Sequence, residues 1–151
     1  MLAPVSGRVV PLEEVPDEVF AEKLAGDGVA IVPGESGEVI APVSGELARL
    51  FEGGYAFGIL NDEGVELIVH VGLDTVELKD EGFRRVSTEA DRVEASEPIV
   101  PFDLEVIRSV GYDPVTPVVV SNASDFQARV VVEAFSEVRA GEVLLNIKVQ
   151  S

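Results

Sequence analysis

Gly64-Val65-Glu66-Leu67-Ile68-Val69-His70-Val71-Gly72-Leu73-Asp74 decides how this chain is read. Val65, Leu67, Val69 and Val71 recur at every second position, which puts them on one face of a β-strand, while Glu66, Ile68 and His70 fall on the other. The apolar set belongs in a core, so the strand turns the only histidine of the sequence outward. Just upstream, Tyr55-Ala56-Phe57-Gly58-Ile59-Leu60 is a second strand-like run, and Asn61-Asp62-Glu63-Gly64 between the two has hairpin-loop length. With Leu60 opposite Val65, antiparallel pairing sets Phe57 against Ile68 and Tyr55 against His70, with opposed Cβ atoms about 5 Å apart. His70 is then framed by Phe57, Ile68 and the Tyr55 ring. A slip of one residue would dissolve this arrangement, because it sends every side chain to the other face. The plainer alternative is a histidine that merely decorates a strand.

Further strand patterns recur on both sides of this hairpin, between Gly, Pro, Asn and Asp turns. They cover 29–32, 38–41, 46–51, 55–60, 65–71, 99–102, 117–121, 129–133 and 142–149, the last with Val143, Leu145, Ile147 and Val149 facing inward. Helix is minor: Asp103 can cap a turn or two through Ser109, and 17–25 is a second short candidate. Many short strands predict an all-β protein, an antiparallel sandwich or barrel. No Gly/Ser or Pro-rich linker interrupts 1–151, which reads as a single domain.

Two internal echoes support a duplicated architecture. Leu2-Ala3-Pro4-Val5-Ser6-Gly7 resembles Ile40-Ala41-Pro42-Val43-Ser44-Gly45, and Arg92-Val93-Glu94-Ala95-Ser96-Glu97 resembles Glu137-Val138-Arg139-Ala140-Gly141-Glu142. Their spacings differ, which excludes a solenoid and suggests two related sheet-building motifs interleaved in one sandwich.

Composition narrows the chemistry. The net charge is −17, from 28 acidic and 11 basic side chains, so a nucleic-acid backbone or an anionic bilayer would be repelled. The absence of cysteine removes thiol nucleophiles, disulfides and thiolate zinc sites, and one histidine cannot build a multi-imidazole metal centre. No cofactor and no metal are expected. The start of the chain has neither a basic stretch nor an apolar leader, and no apolar run nears the roughly 20 residues of a membrane span, so the expectation is a cytoplasmic protein.

The run Gly64-Val65-Glu66-Leu67-Ile68-Val69-His70-Val71-Gly72-Leu73-Asp74-Thr75-Val76-Glu77-Leu78-Lys79-Asp80-Glu81-Gly82-Phe83 resembles the signature of the glucose-type enzyme IIA family. These proteins are phosphocarriers of the bacterial phosphoenolpyruvate-dependent sugar phosphotransferase system. The likeness extends to Val15-Pro16-Asp17-Glu18-Val19-Phe20, to Ala41-Pro42-Val43-Ser44-Gly45, to Phe102-Asp103 and to Thr116-Pro117-Val118-Val119-Val120-Ser121-Asn122. It implies a β-sandwich of the duplicated hybrid-motif type. It also implies that His70 accepts a phosphoryl group from the histidine-containing phosphocarrier protein and passes it to the IIB domain of a sugar permease. The unphosphorylated form would then also be free to bind regulated metabolic proteins.

Matched position by position, the family's partner-contact surface corresponds to Phe20, Phe51, Ile68, Asp74 and Val76, with Asp17 nearby. Phe51 and Val76 fit ordinary core equally well, and Asp74 fits a turn residue bonding its own backbone. Phosphoryl transfer is chiefly positioning and charge management, so the carrier needs a neutral imidazole, a fixed tautomer and a dockable apolar rim. The turn at Gly72 could supply the carbonyl that holds the second ring nitrogen. Tyr55 is the main departure: a second histidine is usual there, and a phenol is a poor proton shuttle at neutral pH and a weak zinc ligand. Loading of His70 should survive, while onward transfer could slow, which favours a regulatory protein-binding module as the competing reading. A biotin- or lipoyl-carrier is disfavoured, since Lys23, Lys79 and Lys148 lack a hairpin-tip setting.

Overall fold

Several strands in this chain are apolar at every second residue, while a central one, Thr116–Val120, is buried along its whole length; the fold follows from that difference. A computed structural model describes residues 1–23, 26–34, 37–50, 56–72, 92–102, 104–109, 113–123, 128–132 and 136–149. In chain order the elements are β1 (Gly7–Pro11), a 3-10 turn (Leu12–Glu14), α1 (Glu18–Ala21), β2 (Asp27–Pro33), β3 (Gly37–Ile40), β4 (Gly45–Leu50), β5 (Ala56–Leu60), β6 (Glu66–His70), β7 (Arg92–Val93), β8 (Pro98–Phe102), α2 (Leu104–Ser109), β9 (Thr116–Val120), β10 (Ala128–Val132), β11 (Glu137–Val138) and β12 (Leu145–Val149). All pairings are antiparallel. Eight strands form one sheet in the order β11-β1-β2-β9-β6-β5-β4-β7, and β3-β8 and β10-β12 are separate ribbons.

One face of the large sheet carries Val9, Val29, Ile31, Phe57, Ile59, Leu67, Val69, Val118 and Val120 into the main core, where Val39 and Ile99 of one ribbon and Leu145 of the other join them. This is the antiparallel β-sandwich expected from the sequence. The opposite face carries Val10, Ala30 and Val119, and a smaller cluster covers them: Leu12, Val15, Phe20 and Val115. β9 lies between the two clusters and is buried along its whole length, which explains the apolar run Pro117–Val120 that follows its one polar residue, Thr116.

The echoes mark the two ends of the sheet. Gly7 opens β1 and pairs with Val138, and Gly45 opens β4 and pairs with Val93. At each end a serine of the first motif accepts from a backbone N–H of the second: Ala140 to Ser6 Oγ at 2.9 Å, and Ala95 to Ser44 Oγ at 2.8 Å. Ala3 N–H donates to Glu142 O at one end as Ala41 N–H donates to Glu97 O at the other. The strand order thus reads as a palindrome about the β9-β6 boundary.

Three sequence expectations need correction. The hairpin register is one residue out: Leu60 pairs with Glu66, Phe57 with Val69, and Ala56 with His70. Asn61 N–H bonds Val65 O, and Gly64, at φ +88°, completes a turn of three residues, not four. Asn61 Oδ1 accepts from Glu63 and Val65 N–H, both at 2.9 Å, which locks that turn. Val143 is 51% exposed, because the last strand starts only at Leu145 and the buried position before it is Leu144. The third correction adds β1, β7 and β11, which show no strand pattern in the sequence because β1 ends in proline and the other two are only two residues long.

Candidate functional site

His70 ends β6 on the face of the small cluster, half-buried, two residues beyond Ile68 of the same face. Gly72 follows at φ +78°, a left-handed conformation that a side chain strains, and this turn brings its carbonyl back to the ring. His70 Nδ1–H donates to Gly72 O at 2.5 Å. A carbonyl can only accept, so the proton sits on Nδ1 and the lone pair of the neutral ring on Nε2. Gly72→Ala is therefore expected to cost about 1–2 kcal/mol by urea unfolding, and to let the ring nitrogen signals in NMR drift towards a mixture of tautomers. Unchanged ring signals would show that this carbonyl does not set the tautomer.

The second wall of the site comes from α1. The Phe20 ring meets the imidazole edge-on, with centroids 5.4 Å apart and planes at 62°. Phe20 is only 7% exposed and packs with Leu12, Val15 and Val119, so it supports the histidine from beneath as part of the small cluster. Asp17 lies at the N-terminus of this helix, where its Oδ1 accepts from Val19 N–H at 2.9 Å. At the other end Lys23, at φ +60°, reaches Asp27 at 3.3 Å and Glu13 at 3.5 Å, and the Asp27 carboxylate foremost raises its pKa.

Ile68 packs against the cluster of Phe20, on the face of β6 that carries His70. Phe57 does not: it is fully buried in the main core opposite Val69, on the far face of the sheet, because the register correction inverts its direction. Its expected place across from Ile68 is taken by Gly58, and Ala56 stands across from His70, which leaves the histidine's face flat on that side. Tyr55, Phe51, Asp74 and Val76 lie outside the described residues. Val19 was not singled out from sequence, yet it is 48% exposed on the helical turn that buries Phe20. The signal was available: neighbours on a helix cannot share one face, so a buried Phe20 leaves Val19 outside.

The Ser121-Asn122 pair fastens the hairpin from β9. Asn122 Oδ1 accepts from Glu66 N–H and its amide donates to Gly64 O, both at 2.9 Å, while Ser121 Oγ donates to Glu66 Oε1 at 2.6 Å. At the hairpin tip Asp62 takes a two-pronged ion pair from Arg92, 2.8 and 3.1 Å, which holds its carboxyl below the usual range. Both contacts brace the strand that ends in His70.

Among the described residues no helix is long and apolar enough to cross a membrane. The family profile described as phosphoenolpyruvate-dependent sugar phosphotransferase system, EIIA 1, matches residues 1–126. The chain is 44% identical over 147 residues to the PTS system glucose-specific EIIA component of Haemophilus influenzae, covering 97% of this chain and 87% of that protein. It is 45% identical over 149 residues to the component of the same name from Halalkalibacterium halodurans, covering 98% and 85%. The PTS system N-acetylglucosamine-specific EIICBA component of Klebsiella pneumoniae is 40% identical over 148 residues, covering 98% of this chain and 23% of that protein. Among solved structures, glucose permease IIA from Mycoplasma capricolum superposes with a TM-score of 0.84 at 37% identity, covering 95% of this chain and 92% of that one. A sandwich that presents a histidine beside a buried phenylalanine, matched along almost its whole length, places this chain in the EIIA family of the phosphoenolpyruvate-dependent sugar phosphotransferase system, as a phosphocarrier component of sugar uptake.

Proposed function

We propose that the chain, as a single cytoplasmic IIA domain, takes a phosphoryl group on His70 Nε2 from the histidine-containing phosphocarrier protein and hands it to a IIB domain for sugar uptake and phosphorylation. The observation that carries this reading is the Nδ1–H bond to Gly72 O, which keeps the nucleophilic lone pair on Nε2. In the step, Nε2 attacks phosphorus in line; a P–N bond forms as the donor's P–N bond breaks, and the released electron pair returns to the donor ring. Positive charge grows on the accepting imidazole, and the Gly72 carbonyl stabilises it through the shared proton.

Ile68 lies beside the ring and Val19 is exposed on the turn that carries Phe20, apolar side chains of the kind a transient partner covers. The EIICBA relative, whose name joins A to C and B units, supports a IIB acceptor. Tyr55 favours a second reading, in which the phosphorylation state of His70 regulates bound metabolic proteins without efficient onward transfer. Labelled phosphoenolpyruvate, the general phosphotransferase proteins and a IIB domain separate the two. Label reaching sugar supports the carrier, label stalling on His70 supports the regulator, and no label on the chain sinks both.

A further inference from the structure

We propose that Asp17 is a positioning residue for His70, acting as the N-cap of α1 and through the Phe20 ring, so that its hydrogen-bonding oxygen matters and its charge does not. The inference rests on the reading of His70 as phosphoryl acceptor. Asp17 Oδ1 accepts from Val19 N–H at 2.9 Å, and its carbonyl accepts from Phe20 and Ala21 N–H at 3.1 and 2.8 Å. The helix so started runs only from Glu18 to Ala21. A single turn fixes many dihedrals for few hydrogen bonds and does not persist alone, which makes the cap and the packing below it decisive. What the turn presents is Phe20, whose ring touches the imidazole at 5.4 Å between centroids. Loosening the turn frees the wall against which the imidazole rests.

Asparagine and serine cap helices about as well as aspartate, and alanine does not. Because the sequence holds one histidine, its ring nitrogens give an unambiguous pair of signals in a 15N-labelled sample. Asp17→Ala is expected to shift and broaden them in the isolated protein, and to lower the rate of phosphate uptake at saturating donor by about fivefold. Asp17→Asn is expected to recover most of both losses. Phe20→Leu keeps the cap but removes the ring contact, and should reproduce the ring signature, with little added in the double variant with Asp17→Ala.

Unchanged ring signals in Asp17→Ala, an Asp17→Asn variant as impaired as Asp17→Ala, or additive effects in the double variant would each overturn the proposal. The NMR arm needs no donor protein, so a wild-type chain that takes up no phosphate would defeat the proposed function while leaving the capping relation to be judged on its own.

Discussion

His70→Gln is expected to stay folded and to take up no phosphate from the donor. Glutamine keeps much of the size and polarity of histidine, but its amide nitrogen pair is delocalised and cannot attack phosphorus. Loss of a nucleophile removes the covalent step itself, at least about a thousandfold in rate. The half-buried position and the polar replacement limit the stability change to about 0.5 kcal/mol, so circular dichroism and urea midpoints should match the wild type. Acid-labile phosphate on the variant after incubation with the donor would show that another residue is the acceptor. Seven phenylalanines and two tyrosines accompany this lone imidazole, and none can form the same acid-labile bond.

The second large effect lies on the other side of the sheet. Phe57→Ala is expected to lower unfolding free energy by about 3–5 kcal/mol, because the ring is fully buried among Val69, Leu67 and their neighbours. That is a large share of the stability of an ordinary domain. Phosphate uptake per folded molecule should be unaffected, since the ring faces away from His70. Had Phe57 lined the docking rim, the variant would instead raise KM for the donor and leave the urea midpoint in place. The pair of measurements therefore tests the hairpin register directly.

That register was the weak point of the sequence reading, and the reason is local. Alternation in Val65, Leu67, Val69 and Val71 correctly separated the buried face from the histidine's face, since all four are buried and Glu66, Ile68 and His70 are not. Alternation within one strand says nothing about its partner, however. The partner is set by the turn, and the cue there was Gly64, which adopts positive φ and lets Asn61 pair with Val65. The small cluster was invisible for a different reason: Leu12, Val15 and Phe20 are spaced without strand or long-helix periodicity and become a layer only when β9 and β2 lie beneath them. The echoes fared better, because a serine that accepts from a distant N–H at both ends of the sheet leaves the same short motif twice.

The place of β9 in the sheet has a temporal consequence. It is inserted between β2 and β6, pairing Val118 with both Val29 and Val69, although fifty or so residues separate it from the nearer of the two. On a ribosome adding about 5–20 residues per second, β2 and β6 wait several seconds with one edge each unsatisfied. Bridging such distant segments is entropically slow even in a complete chain. The nascent protein thus passes through an interval in which two apolar strand borders lie open to neighbouring chains, and the last-arriving valines of β9 are what close it.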